Sequence, residues 1–245
     1  MNPKTILSTL LLLLAISTSL LAKGNLQGAW SRSAQGQNGE MIKEVLLFSG
    51  DFFSWTAFSE KTGAFIETRG GIFSMGNGQL LLKYEFYSAD STKVGAEETW
   101  EWSSGQNGLN LSKDGVKKEA WKSLEESQPT DLSGVWLMGG RVRNGETTRR
   151  EVNVPRKTMK ILTGTRFQWI AYNTETRQFL GTGGGSYTAV NGKYVENLEF
   201  FSRDNQRVGM QLEFSFDTAS GEWHHTGKSS AGEAMHEIWV RRVQQ

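Results

Sequence analysis

The residues best suited to acid–base or metal chemistry lie near the end of this 245-residue chain. The chain has three histidines, and an acidic residue follows the last of them: His224, His225, His236 and Glu237. Adjacent residues of a strand point to opposite faces, so His224 and His225 are poorly placed to serve one site. One of them could join His236 and Glu237 if their strands pair, a set that suits acid–base catalysis or zinc.

No motif around these histidines specifies a reaction. The sequence lacks an elbow of the type G-x-S-x-G, and the glycine-rich stretch LGTGGGSY at residues 180–187 lacks the Lys-Ser/Thr ending of a phosphate-binding loop. We therefore assign no catalytic residue and no metal ligand, and we expect no cofactor.

Two glutamates lie in the middle of apolar and aromatic runs, Glu85 in KYEFY and Glu199 in NLEFF. A buried carboxylate needs a partner, and burial raises its pKa. These residues are candidate polar anchors in a cavity or general acids. Alternatively they face solvent beside Lys83 and Asn197, which strand alternation permits and which is the commoner use of such residues.

Aromatic side chains on alternating strand positions could line a cavity for a small molecule, or they could simply fill the interior. Arg166 is a further candidate for orienting such a ligand. The candidate ligand-binding residues are Trp55, Phe73, Glu85, Trp100, Trp102, Arg166, Trp169, Tyr187, Glu199, Phe214 and Phe216.

A basic segment, TTRREVNVPRKTMK at residues 147–160, has no counterpart of equal length earlier in the chain. It could form a lip that meets an anionic ligand. The more frequent role of such a segment is a solvated hairpin.

The elements that position these residues are revealed by an internal duplication. Shifting the chain by 114 residues aligns residues 53–102 with 167–216, and 16 of the 50 pairs are identical. Chance would give about three at average composition. Each copy begins with L-x-G-x-W and ends with E-x-W, the latter at Glu119 and Glu237. Two long copies indicate tandem domains and not a solenoid.

The polar stretch between the copies contains a proline and predicts a linker. The predicted organisation is a signal peptide at residues 1–22, a first domain at 24–124, a linker at 125–130 and a second domain at 131–245. Within each copy, short runs with a period of two are separated by turn residues, which predicts about eight antiparallel strands.

These strands predict an all-β fold of two tandem up-and-down antiparallel β-barrels, because closure of a sheet removes its edges. The glycine pairs inside strand patterns, Gly70-Gly71 and Gly184-Gly185, indicate a sharp bend or a close approach of another group. A barrel of about eight strands can hold one small ligand.

Composition limits the partners and the compartment. The chain has 27 basic and 26 acidic residues, which argues against nucleic acid as a partner. It has no cysteine, so disulfides and thiolate sites are excluded.

The first 22 residues have the pattern of a secretory signal peptide, with Lys4, an apolar run from Ile6 to Leu21, and Ala22 at the predicted cleavage point. We therefore expect a periplasmic or secreted protein with no membrane span after cleavage.

The G-x-W motifs at residues 28–30 and 134–136, each before a run of about eight predicted strands, resemble the motif on the first strand of lipocalins and their calycin relatives. In that family a basic residue near the end of the last strand packs across the Trp. Arg241 matches this role in the second copy, whereas Ser123 takes the position in the first. The chain is also similar to lipocalin-like domains of exported Bacteroidota proteins. The resemblance implies a β-barrel and binding of small apolar molecules.

Three function hypotheses follow. The leading one is binding of a small hydrophobic or amphipathic ligand within a barrel, without catalysis. The second is a barrel enzyme that uses the His/Glu cluster. The third is an interaction module in which both barrels are filled by side chains.

Overall fold

The computed structural model describes residues 26–105, 108–117, 120–125 and 128–243. The predicted signal peptide and Glu119 lie outside these ranges. The described residues form antiparallel strands and two short 3-10 helices, Ser91–Lys93 and Asn205–Arg207. No helix in this part of the chain is long and apolar enough to cross a membrane.

Nine strands make the first sheet. They are β1 (Gly28–Gln35), β2 (Met41–Ser49), β3 (Phe52–Ser59), β4 (Phe65–Gly76), β5 (Gln79–Tyr87), β6 (Glu97–Gly105), β7 (Gly108–Lys113), β8 (Val116–Lys117) and β9 (Lys122–Ser123). The strands β1 to β8 pair in sequence order, and β9 pairs with β1. Trp121, next to β9, forms a bridge with Leu109 of β7. Eight strands thus form a nearly closed barrel, to which β8 is appended.

Nine further strands make the second sheet. They are β10 (Gly134–Arg143), β11 (Glu146–Arg149), β12 (Arg156–Leu162), β13 (Arg166–Asn173), β14 (Gln178–Val190), β15 (Lys193–Phe201), β16 (Gln211–Asp217), β17 (Trp223–Lys228) and β18 (Ala234–Arg241). The barrel closes because β10 pairs with both β12 and β18. The prediction of two tandem up-and-down barrels is confirmed.

The glycine pairs accompany β-bulges. Register shifts interrupt the pairing of β4 with β5 and of β14 with β15, and they leave Glu85 and Glu199 as the extra residues on the bulged strands. A Cβ atom on Gly71 or Gly185 would overlap a carbonyl oxygen of the neighbouring strand, so the backbones meet there without a side chain between them. Alternation from the inward-facing Tyr84 and Leu198 points Glu85 and Glu199 outward. The extra residue then shifts the phase, so that the next residues, Phe86 and Phe200, also face outward.

The G-x-W tryptophans lie at the same end of their barrels. The indole of Trp136 donates to the Leu132 carbonyl oxygen at 2.8 Å, and the Arg241 guanidinium lies 3.7 Å from the Trp136 ring centroid. Arg241 also donates to the carbonyl oxygens of Ser133 and Asp131. The expected packing of Arg241 across the tryptophan is confirmed, and it closes this end of the second barrel.

The outer faces of the two barrels pack on each other through a buried apolar layer. It draws on β1, β2, β3 and β5 of the first barrel and on β10, β12, β13 and β15 of the second. Its buried members are Ala29, Val45, Leu47, Phe52, Phe58, Phe86, Val135, Leu137, Met159, Ile161, Ile170, Tyr172 and Phe200. The two copies therefore share a core between the barrels, in addition to the core inside each one.

This interface has a local two-fold relation. Phe58 stacks on Phe200 with 5.0 Å between ring centroids, and Phe86 packs on Tyr172 at 5.1 Å. The duplication maps Phe58 onto Tyr172 and Phe86 onto Phe200, so the two contacts are copies of each other. Phe65 of β4 and its counterpart Phe179 of β14 stack on one another with 5.9 Å between ring centroids. The arrangement is that of an isologous dimer built within one chain.

Ion pairs complete the interface. Glu85 accepts two hydrogen bonds from the Arg242 guanidinium, at 2.6 and 2.8 Å, while Glu199 pairs with Lys43 at 3.1 Å and with Arg166. Burial opposes ionisation of Glu85, but the hydrogen bonds from Arg242 lower its pKa below the ordinary value. The structure corrects the expectation that Glu85, Arg166 and Glu199 line a barrel cavity, because all three lie between the barrels.

Replacing Glu85 by Gln should destabilise the protein by about 3 kcal/mol, because the buried Arg242 then loses its counter-ion. Glu97→Gln is the matched control, since its exposed pair with Lys83 spans 3.4 Å and contributes at most about 1 kcal/mol. Urea unfolding followed by tryptophan fluorescence measures both. Equal effects of the two substitutions would contradict a role for the buried pair.

Candidate functional site

An open cavity of about 470 Å³ occupies one end of the second barrel. It opens where β13, β15 and β17 finish, opposite the end closed by Trp136 and Arg241. A space of only about 30 Å³ lies among the side chains inside the first barrel. Of the two interiors, the second is therefore the one with room for a ligand.

Side chains fill the first barrel. The Arg69 guanidinium lies 4.0 Å from the Trp55 ring centroid and donates to the Tyr87 hydroxyl at 2.7 Å. Beside it, the Tyr84 hydroxyl donates to Glu98 at 2.9 Å. This hydrogen-bonded layer of aromatic and charged groups occupies the volume that a ligand would need.

The same positions of the second barrel hold smaller or apolar residues. The alignment puts Gly183 at the position of the filling arginine, and Leu198 and Leu212 at the positions of the tyrosine and glutamate. A Cβ on Gly183 would lie 2.7 Å from the Trp169 indole nitrogen, so Trp169 occupies the space above the glycine. Loss of the filling side chains leaves a wall of Trp169, Leu198, Leu212 and other apolar residues.

A charged pair lies on the inner wall of the cavity. The Lys160 ammonium is 2.7 Å from a Glu196 carboxylate oxygen, and both side chains are buried. Glu196 also accepts from the Tyr194 hydroxyl at 2.9 Å, and Lys160 lies 4.8 Å from the Trp223 ring centroid. The pair is thus held by a hydrogen bond and a cation–π contact in a largely apolar site.

His225 lines the cavity and is 2 % exposed. Its ring packs 4.1 Å from that of Phe214, and Nδ1 is 3.7 Å from a Glu237 carboxylate oxygen, beyond hydrogen-bond distance. Neither ring nitrogen has a hydrogen-bond partner among the described residues. Burial and the ammonium of Lys160 lower the pKa of His225 to about 4. At neutral pH it is a neutral imidazole, with one ring N–H that can donate a hydrogen bond and one ring nitrogen that can accept one.

Arginines surround the mouth. Arg141, Arg150, Arg156 and Arg203 line it, and Arg141 pairs with Glu237 at 3.2 Å. Within the described ranges, none of the other three has an ion pair with a carboxylate. Burial and the guanidinium groups of Arg150 and Arg203 lower the pKa of Arg156, which shows that these like charges influence one another.

The segment 147–160 therefore contributes directly to the cavity. Arg150, Arg156, Thr158 and Lys160 all line it. The structure favours the lip over the plain solvated hairpin, because the segment's arginines border the opening. Thr147, Thr148 and Arg149 belong to the β10–β11 hairpin and are exposed.

The predicted aromatic residues divide between the two barrels. Trp169 and Phe214 line the cavity, Phe216 packs against the core of the second barrel, and Tyr187 lies near its closed end, where its hydroxyl donates to the Thr163 carbonyl oxygen. The remaining four belong to the filled interior of the first barrel: Trp55, Phe73, Trp100 and Trp102. For these four the structure favours the filling role over ligand contact.

The histidines are separated by strand alternation. His224 and His236 lie on the outer face with 2.9 Å between ring nitrogens, while His225 and Glu237 face the interior. The described part of the chain contains no group of three or more metal-ligating side chains of the His, Cys, Asp and Glu types. The arrangement brings together a histidine and a glutamate, and not the larger cluster that the enzyme hypothesis considered.

Several cavity residues were not predicted from the sequence: Glu196, Leu198, Phe201, Arg203 and Trp239. A usable indication did exist for some of them. In YVENL, Tyr194, Glu196 and Leu198 alternate on one face, which is the inner one. The duplication also shows leucines of the first copy at the positions of Lys160, Glu196 and His225, namely Leu46, Leu82 and Leu111.

A scan against protein-family models gives no match. A search among curated proteins also finds no matching sequence.

Protonation of His225 should make stability depend on pH. Between the ordinary pKa of 6.5 and the folded value of about 4, the unfolded chain takes up a proton that the folded chain does not. The free energy of unfolding should therefore fall by on the order of 3 kcal/mol as pH drops through this window.

His225→Phe should remove this pH dependence, whereas His224→Gln on the outer face should retain it. Urea unfolding at a series of pH values measures both. The Glu85 carboxylate, whose pKa is also lowered, loses its contribution at more acid pH in both variants. An unchanged slope in His225→Phe would contradict the assignment.

Proposed function

We propose that this is an exported, lipocalin-like protein that binds a small amphipathic molecule inside its second barrel. The observation that carries the proposal is the 470 Å³ cavity of that barrel, with an apolar wall, a basic mouth and a neutral buried histidine. Ligand pockets in proteins commonly measure about 300–1,000 Å³ and combine apolar walls with a few polar groups.

The difference between the copies supports binding in the second barrel. Both have the same fold, but the first is packed with side chains and the second is open at one end. The first barrel then serves as structural support, because it covers the outer face of the binding barrel. This arrangement also argues against a module in which both interiors are filled.

Trp169→Ala should weaken binding of the neutral fluorescent probe N-phenyl-1-naphthylamine by about ten-fold, because the indole is a large part of the cavity wall. Its counterpart Trp55 is the matched control. Trp55→Ala should lower the melting temperature more, because Trp55 is 6 % exposed in a filled core, but leave probe affinity unchanged. Fluorescence titration and thermal unfolding give the two quantities.

The proposal fails if the wild-type protein does not bind the probe. It also fails if Trp169→Ala loses affinity only in proportion to its loss of folded protein. If Trp55→Ala alone weakened binding, the site would lie in the first barrel.

Export is the second part of the proposal, and it depends on the signal-peptide pattern of residues 1–22. Expression of the full chain in a host with a periplasm should yield a protein that begins near Lys23. Mass spectrometry of the periplasmic and cytoplasmic fractions measures this. Recovery of the uncleaved chain from the cytoplasm alone would contradict it.

A further inference from the structure

We propose that the ligand of the second barrel carries an oxyanion head group, a carboxylate, sulfate or phosphate, which Arg150, Arg156 and Arg203 hold at the cavity mouth. The inference rests on the proposed function, since it specifies the chemistry of the molecule that the cavity takes. Its apolar part would extend past Trp169 toward His225.

The charge balance of the cavity is the first support. Five cationic side chains line it against two carboxylates, Glu196 and Glu237. Lys160 pairs with the former and Arg141 with the latter. The three arginines of the mouth thus have no matching carboxylate in the described part of the chain, although the whole chain carries a net charge of only +1.

The second support is the geometry of the guanidinium donors. Arg203 uses Nε and Nη2 on the Leu180 carbonyl oxygen, and Arg156 uses Nη1 on the Lys157 carbonyl oxygen and Thr158. These bonds fix the side chains and leave further N–H groups available. Planar guanidinium donors match the paired oxygens of a carboxylate or phosphate, and such hydrogen bonds are stronger than neutral ones.

The third support is the position of the basic groups relative to the apolar wall. The Arg203 guanidinium lies 5.9 Å from the Trp169 ring centroid, so the charged mouth and the apolar wall meet at these two residues. A head group among the arginines would place the first carbons of its chain against the indole. A cationic amphiphile would meet repulsion at the same point.

The test compares amphiphiles that share one chain and differ in head group. Dodecanoate, dodecanol and dodecyltrimethylammonium, each below its micelle concentration, compete with N-phenyl-1-naphthylamine at neutral pH. Dodecanoate should displace the probe at least about ten-fold more effectively than dodecanol, and added salt should reduce this advantage. The ammonium compound should be the weakest. Dodecyl sulfate and dodecyl phosphate then identify which oxyanion is preferred.

The variant R150Q/R156Q/R203Q should lose the preference for dodecanoate, measured as the ratio of the dodecanoate and dodecanol affinities of the same variant. The control K83Q/K122Q/K193Q removes the same amount of charge from exposed lysines away from the mouth, and it should keep the preference. Thermal unfolding confirms that both variants fold.

Equal displacement by dodecanoate and dodecanol in the wild-type protein would overturn the head-group inference and leave ligand binding intact. The same conclusion follows if the arginine variant keeps its preference. Failure of the probe itself to bind would instead overturn the proposed function, so the two failures are distinguishable.

Discussion

The packing of one barrel on the other is the constraint on which the rest of the structure depends. A chain without cysteine has no disulfides, so its stability comes mainly from buried apolar surface. Each barrel has apolar residues on its outer face, such as Phe58 and Tyr172, and alone it would expose them as a large patch. Because the two copies belong to one chain, each covers the apolar outer face of the other at any protein concentration, which a dimer of separate barrels would not do.

The bulges determine how this interface is made. Without the extra residue in β5 and β15, strict alternation would turn Phe86 and Phe200 toward the barrel interiors. With it, both phenylalanines pack across the interface, and Glu85 and Glu199 reach cations there. A different placement of the barrels would separate Glu85 from Arg242 and Glu199 from Lys43, and loss of a partner is costly in a buried site. The ion pairs therefore favour this one arrangement of the copies over other apolar contacts.

The sequence predicted the architecture well, because a period of two and turn residues are local properties and a duplication can be read by alignment. It did not predict that Glu85 and Glu199 meet cations between the barrels, because that depends on how the two copies pack. Nor did it predict that Phe86 and Phe200 face outward, since one bulge residue reverses the phase of the alternation. It also did not predict which barrel is open. That property depends on which residues meet across the interior, such as Arg69 with Trp55, and on their combined volume.

The comparison between the copies separates structural from functional requirements. Leu46, Leu82 and Leu111 pack the inner wall of the first barrel, and at the aligned positions the second has a lysine, a glutamate and a histidine. Burying such groups costs free energy that leucines do not.

The first barrel shows that the fold forms with leucines at these positions, so the fold does not require the polar groups. Residues that reduce stability while they border an open cavity are typical of binding and catalytic sites. The buried lysine, glutamate and histidine therefore support the proposed binding site in the second barrel, as the cavity volume and the arginines do.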